Sequence, residues 1–356
     1  MRKIYGFAGY TIILNEIYIR DAGDMDVRGW REQILSDKTK KAMPLLSFPG
    51  GRLIGANAGE MVKDGRLMAR AMVEIAGRCD TLASVGMMDL SVEAEAFGAE
   101  IVFAENETPT VVGRLVKNME DADALAVPPV ISGRAPEYIG AIQLAKKNIV
   151  DKPVFGGVIG PFSLAGRLMD MTEIMITMYE EPELVHAVLI KCERFIAAYC
   201  AAFKRAGADG VIMAEPAAGL LSPDLADEFS SPYTRHICET VKDGTFAVIY
   251  HNCGRTAPLM RSILSVGADG CHFGNAADMA EILALTPKNV LAFGNIDPAG
   301  QFVNGTPDSV YAATTALVEK CKTYDNFVPS SGCDIPITAP WENIDAFFRA
   351  VKDMYG

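Results

Sequence analysis

Phe246-Ala-Val-Ile-Tyr-His-Asn-Cys-Gly254 is the stretch from which the fold can be read. Its first five residues are an apolar run that suits a buried strand, and the run stops abruptly at His251. Side chains alternate along a strand, so His251 and Cys253, two apart, share a face. Gly254 lets the chain turn away after them. An imidazole and a thiol side by side on a stiff strand end make half of a zinc site. The other half has to come from the end of another strand.

The same punctuation recurs along the chain. Apolar runs at 41–51, 81–90, 153–160, 210–216, 270–274, 289–294 and 326–332 join 246–250 as expected strands. Helical periodicity or capping signals fill most of the gaps, at 56–78, 182–206, 257–265, 279–285, 307–322 and 341–354. Pro161 with Ser163 as cap, and Ser222 before another helix, mark two further starts. A short helix is expected at 91–97 and an excursion or hairpin at 101–111. Such alternation calls for right-handed crossovers and a parallel sheet. An open doubly wound sheet is the alternative, but no Gly-x-Gly-x-x-Gly follows the first strand. Polar residues cluster after one strand after another: Asp89, Glu215, His251, Cys253, Asn275, Asp297 and Cys333. A closed α/β barrel of the (β/α)8 TIM type gathers all such ends at one mouth, and it is the fold expected here. Residues 1–356 then form one barrel domain. Residues 1–40, polar and irregular, are an N-terminal extension packed on it, with a loop at 21–26.

Composition narrows the function classes. A net charge of −12 argues against nucleic acid or an anionic membrane surface as partner. Half of the 356 residues are hydrophobic, enough for a large core, yet no apolar stretch approaches the roughly 20 residues needed to span a bilayer. The charged start and apolar 4–14 resemble a short signal sequence, but Asn15, Glu16, Arg20 and Asp21 follow with no small-residue cleavage site. A cytoplasmic protein is expected. The 8 cysteines then read as free thiols, mostly small buried hydrophobes, and not as a disulfide scaffold.

Among those thiols, Cys333 sits in Ser330-Ser-Gly-Cys-Asp-Ile-Pro336, at the end of the last strand. It faces the same mouth as His251 and Cys253. Two thiolates and one neutral imidazole nearly neutralise Zn2+ and leave a position for substrate. His236-Ile-Cys238 has the same spacing but lies in a helix, where residues two apart point about 200° apart, so it reads as packing or surface. Cys271 and His272 face opposite ways, and His272 reads as a buried, hydrogen-bonded histidine. His186 is a helix-face residue. An open zinc position activates a thiol as thiolate, or draws charge from an ether oxygen or amine so that it leaves. Both are methyl-transfer chemistry.

Met88-Asp-Leu-Ser-Val-Glu-Ala-Glu-Ala-Phe-Gly98, Gly160-Pro-Phe-Ser-Leu-Ala165 and Gly294-Asn-Ile-Asp-Pro298 carry a family resemblance. From about residue 42 to its end the chain resembles the uroporphyrinogen decarboxylase superfamily. His251-x-Cys253 and Cys333 in Gly-Cys-Asp-Ile-Pro are similar to its corrinoid-dependent methyltransferases. That resemblance implies His251, Cys253 and Cys333 as zinc ligands. It also implies a corrinoid (cobalamin) carried by a partner protein, and a small-molecule methyl donor or thiol acceptor as substrate. It leaves room for a homodimer. Some relatives supply a glutamate to zinc near 272–275, where this chain has none. The fourth position is therefore open to Glu215, Asp334, water or substrate. Glu215, Asp89 and Asn275 are the candidates for handling the substrate. The alternative is a tetrapyrrole decarboxylase: Asp89 stands where that enzyme binds pyrroles. However, no Arg-Gln-Ala-Gly-Arg type motif is present to hold substrate carboxylates, and a decarboxylase leaves the His/Cys/Cys set unused. A third class, a metal-storing or corrinoid-docking module, is separated by an activity assay.

Overall fold

The computed structural model describes residues 25–356. Its main sheet has seven parallel strands. They are β1 (Ser84–Val85), β4 (Val154–Ile159), β5 (Gly210–Ala214), β6 (Ala247–Asn252), β7 (Gly270–Phe273), β8 (Leu291–Ile296) and β9 (Phe327–Ser331), paired in that order. The two remaining strands, β2 (Glu100–Val102) and β3 (Thr110–Val112), form the antiparallel hairpin expected between 101 and 111. Helices connect successive strands from β4 onward, the longest being Pro182–Arg205.

Period-2 alternation sorts each strand between two cores. Val211 and Met213 of β5, and Val248 and Tyr250 of β6, face the helical layer with Val188, Phe195 and Ile237. Ile212 and Ala214, and Ala247 and Ile249, face an inner cluster. Val85 of β1 and Val328 of β9 both belong to that inner cluster, although they lie on opposite edges of the sheet. The sheet therefore curls around its own core. His251, two residues beyond Ile249, inherits the inner face.

The expected first strand does not form a ladder. Residues 42–45 run between the two edges. Ala42 bridges Thr81 in parallel, the Leu82 N–H donates to the Ala42 carbonyl at 2.9 Å, and the Met43 N–H donates to the Pro329 carbonyl at 3.0 Å. Pro44 has no N–H to donate, and the Leu45 N–H goes to the Ser331 hydroxyl at 3.0 Å. Side-chain bonds replace the ladder there. The chain then enters helix Gly50–Ile54, which begins inside the run expected as the first strand.

Within the expected extension, 1–24 lie outside the described residues. From 25 on the chain is not irregular: Val27–Ser36 is a helix whose N-cap, Asp26, accepts from the Gly29 N–H. Val27, Trp30 and Ile34 make its apolar stripe, at i, i+3 and i+7, a period masked by the charged residues around it. Trp30 packs on Phe155 at 5.7 Å, and the Val27 N–H donates to Gly244. Phe155 and Gly244 both lie at strand starts, so this helix covers the end of the sheet opposite His251. No helix among the described residues is long and apolar enough to cross a membrane.

Candidate metal centre

Strand β6 carries His251 as its fifth residue, and Cys253 follows directly after its end. Cys333 lies two residues past β9. Curling of the sheet brings these ends together. One ring nitrogen and two sulfurs lie within 4.8 Å of one another, the one group of three or more donors among the described residues that could hold a metal ion. The His251 Nε2 to Cys333 Sγ separation is 3.6 Å. A tetrahedral zinc with its usual bond lengths spans about 3.6 Å between nitrogen and sulfur ligands, so this edge fits. His251 is buried and both thiols are half-buried. All eight cysteines are free. The Cys333 S–H bonds to the Cys253 sulfur, which with His251 beside it holds Cys253 below the ordinary thiol range. The same contact, with burial, raises Cys333. One thiol of the pair therefore gives up its proton readily.

Close backbone approach shapes the loops around these donors. A Cβ on Gly254 would lie 2.6 Å from the Cα of Gly219, and one on Gly274 would lie 2.7 Å from the Cβ of Cys253. Gly254 is thus needed for loop contact. Asn252, between the two β6 donors, accepts from the Gly254 N–H at 2.9 Å and donates to the Glu215 carbonyl at 3.1 Å. Asn295 at the end of β8 donates to the carbonyls of Gly274 and Ala277 at 2.8 and 2.7 Å, holding the turn that packs on Cys253. Asn295 lies in the Gly294-Asn-Ile-Asp-Pro298 stretch that carried the resemblance, but nothing in the spacing gave it this role.

Behind His251 stands a second imidazole. Parallel pairing sets His272 of β7 in register with His251, and their Nδ1 atoms are 2.8 Å apart. The Nε2 of His272 is 2.8 Å from the Ser330 hydroxyl. Burial, with His251 adjacent, pushes His272 well below the ordinary histidine range. It is the buried, hydrogen-bonded histidine expected. Its partner was missed because only pairing register shows that the two rings meet. His236 is exposed against Glu193 while Cys238 is buried in the helical core, and His186 stacks on Phe229 at 4.7 Å.

The model of the family described as uroporphyrinogen decarboxylase (URO-D) matches residues 40–354. The chain belongs to the uroporphyrinogen decarboxylase family. A methylcobamide:CoM methyltransferase of Methanosarcina acetivorans is 28% identical over 269 residues, 74% of this chain and 78% of that one. A uroporphyrinogen decarboxylase of Synechococcus sp. is 27% identical over 277 residues, 75% and 76% of the two chains. Among solved structures, a methyltransferase from Methanosarcina mazei superposes with a TM-score of 0.82 at 23% identity, covering 94% of this chain and 100% of that one.

Three residues expected to handle substrate in this family member stand apart from one another. Glu215 does not reach the mouth. It follows Ala214 on the odd parity of Val211 and Met213, and its carboxylate accepts from the backbone N–H groups of Phe162 at 3.0 Å and Ser163 at 2.6 Å. It is neither a rim ion pair nor a ligand but the cap of helix Pro161–Met169, in place of Ser163. The Ser163 hydroxyl accepts instead from Ala217. Burial pushes Glu215 up to about 7. Asp89 is likewise taken up by protein partners. One oxygen accepts from the Ser91 N–H and hydroxyl at 3.0 and 2.6 Å, the other from Arg134 at 2.5 Å and Tyr138 at 2.8 Å. Its side chain is 0% exposed, which leaves it no face for a pyrrole or other substrate. Asn275, by contrast, is exposed and its backbone lies against Gly332, next to Cys333. Asp334 sits near the Ser47 hydroxyl at 3.4 Å and is pushed up to about 8 by burial.

Proposed function

We propose that this chain is a zinc-dependent methyltransferase. It moves a methyl group between a small molecule (thiol, methyl ether or methylamine) and the cobalt of a corrinoid borne by a partner protein. The observation that carries the reading is the convergence of one imidazole and two half-buried thiols within 4.8 Å of one another. The relative named for methylcobamide and CoM supports the same chemistry. His251, Cys253 and Cys333 hold the metal, and neither Glu215 nor Asp334 is in the donor group. The fourth place thus falls to water or substrate. Bound zinc supplies Lewis acidity that turns a thiol into a thiolate or draws charge from a leaving heteroatom. Asn275, on the exposed rim, orients the small molecule. Cys253 and Cys333 set the charge of the site by binding as thiolates, with their protons released to solvent.

The decarboxylase reading has named relatives in its favour. Against it stands Asp89, whose oxygens are taken by Arg134, Tyr138 and Ser91. Arg134 thereby serves the fold and not a substrate carboxylate. We further propose that residues 42–47 act as the eighth staple of the sheet, closing a (β/α)8 barrel. The chain beyond residue 40 is then one domain.

Metal analysis of the purified protein tests the reading. The wild type is expected to carry close to one zinc per chain, and Cys253→Ala and Cys333→Ala to lose it. Wild type is also expected to transfer methyl from methylcobalamin to a thiol. Zinc far below stoichiometric, or unchanged in both variants, would overturn the proposal. An inactive protein with full zinc favours the storage or docking reading.

A further inference from the structure

The ring behind His251 has a consequence that follows from counting protons. The Ser330 hydroxyl lies 2.7 Å from the Met43 carbonyl, which can only accept, so that contact uses the only hydroxyl proton of Ser330. His272 Nε2 contacts the same oxygen at 2.8 Å, so it is His272 that donates there. One proton must then lie between the two Nδ1 atoms, 2.8 Å apart. Placed on His272, it would make that ring a cation. His272 is 1% exposed, with Phe293 stacked at 6.4 Å. The hydrogen bonds of its ring run to His251, Ser330 and the Ser331 backbone, none of which is a carboxylate. An uncompensated charge in such a place is costly. The proton therefore belongs to His251 Nδ1. The lone pair of His251 Nε2 is left facing Cys333 Sγ at 3.6 Å.

We infer that His272 and Ser330 are positioning residues, a relay from the Met43 carbonyl that holds His251 as its Nδ1–H tautomer and presents Nε2 to the metal. The inference rests on the zinc reading for its purpose, though not for its geometry. Two elements make the relay. Strand register puts His272 beside His251, and the non-ladder segment at Met43 supplies the terminal acceptor. An imidazole that donates its second N–H to a fixed acceptor is oriented and more basic as a ligand, and loss of such partners costs roughly 10–100-fold in metal affinity.

The experiment has two arms. Long-range proton–nitrogen spectra of histidine-labelled, metal-free wild type are expected to show His251 protonated at Nδ1 and His272 at Nε2. A His251 ring protonated at Nε2 overturns the inference whatever the protein does with zinc. In the second arm, chelator competition measures zinc affinity of wild type, His272→Leu, Ser330→Ala and His272→Asn. Leu and Ala are expected to weaken binding by about 10–100-fold. Asn places an acceptor where Nδ1 was and is expected to stay within a few-fold of wild type, which also guards against a variant that fails to fold. Wild-type affinity in both His272→Leu and Ser330→Ala overturns the inference while leaving the zinc reading intact. A loss in His272→Asn equal to that in His272→Leu also overturns it, since packing and not the acceptor would then matter. A wild type that binds no zinc sinks the zinc reading, whereas the tautomer spectra still decide the relay.

Discussion

Glu215→Gln distinguishes a carboxylate that holds a helix from one that handles substrate. Both oxygens accept backbone N–H groups at the start of helix Pro161–Met169, at 3.0 and 2.6 Å. A glutamine keeps one acceptor and turns an amide N–H2 toward the other donor. Losing a charge-assisted hydrogen bond costs about 1.5–3 kcal/mol. Losing a negative charge at a helix N-terminus adds up to about 2 kcal/mol in a buried geometry. The variant should therefore be less stable by roughly 1.5–5 kcal/mol, toward the lower end because the two costs overlap and burial already disfavours the charged form. Urea unfolding at pH 8, where a carboxyl pushed up to about 7 is mostly ionised, reads the loss. Zinc content, and turnover of the folded fraction, should hold. Stability unchanged within about 0.5 kcal/mol together with a turnover loss beyond about 100-fold would refute the reasoning and return Glu215 to acid–base catalysis.

Three further outcomes follow from the same contacts. Asp89→Asn leaves the Arg134 guanidinium, whose side chain is 9% exposed, with Glu95 as its remaining carboxylate and should cost about 1.5–3 kcal/mol in chemical denaturation with zinc content unaltered. A loss of methyl transfer without a loss of stability would mean instead that Asp89 meets the substrate. Gly254→Ala drives a Cβ to 2.6 Å from Gly219 and should cost about 1–3 kcal/mol while weakening zinc retention, measured by chelator competition. Glu93 and Glu215 are each raised by burial to about 7 from the ordinary glutamate value. The native state thus holds protons the unfolded chain has shed, so their contribution is full below the unfolded value and is lost as pH rises through about 7. Urea midpoints of wild type should fall between pH 5 and 7.5 more steeply than those of the Glu93→Gln/Glu215→Gln double variant; parallel curves would contradict this.

Much of the site was legible because a strand's period of two is rigid. His251 and Cys253 share a face by spacing alone, and Cys333 declares itself by ending another strand. The twin at His236 and Cys238 was set aside by its helical setting, where the structure has one residue exposed and the other in the core. Glu215 was misjudged for the same reason that the others were readable. A polar residue after a strand was taken to face the mouth, whereas its parity with Val211 and Met213 turns it outward to the helices. The helix at Val27–Ser36 was overlooked because its three apolar positions are thinly spread among charges.

The sequence by itself determined a parallel, strand-helix alternation, the strand ends that carry chemistry, and which residues share a face. Those follow from periodicity, which is local. Tertiary structure alone decided which faces meet. Curling of the sheet brings Cys333 to His251, pairing register places His272 behind it, and packing spends the carboxylates of Glu215 and Asp89 on backbone and arginine. Such partnerships join residues up to 82 positions apart at the donor group itself, where no local pattern reports what stands opposite.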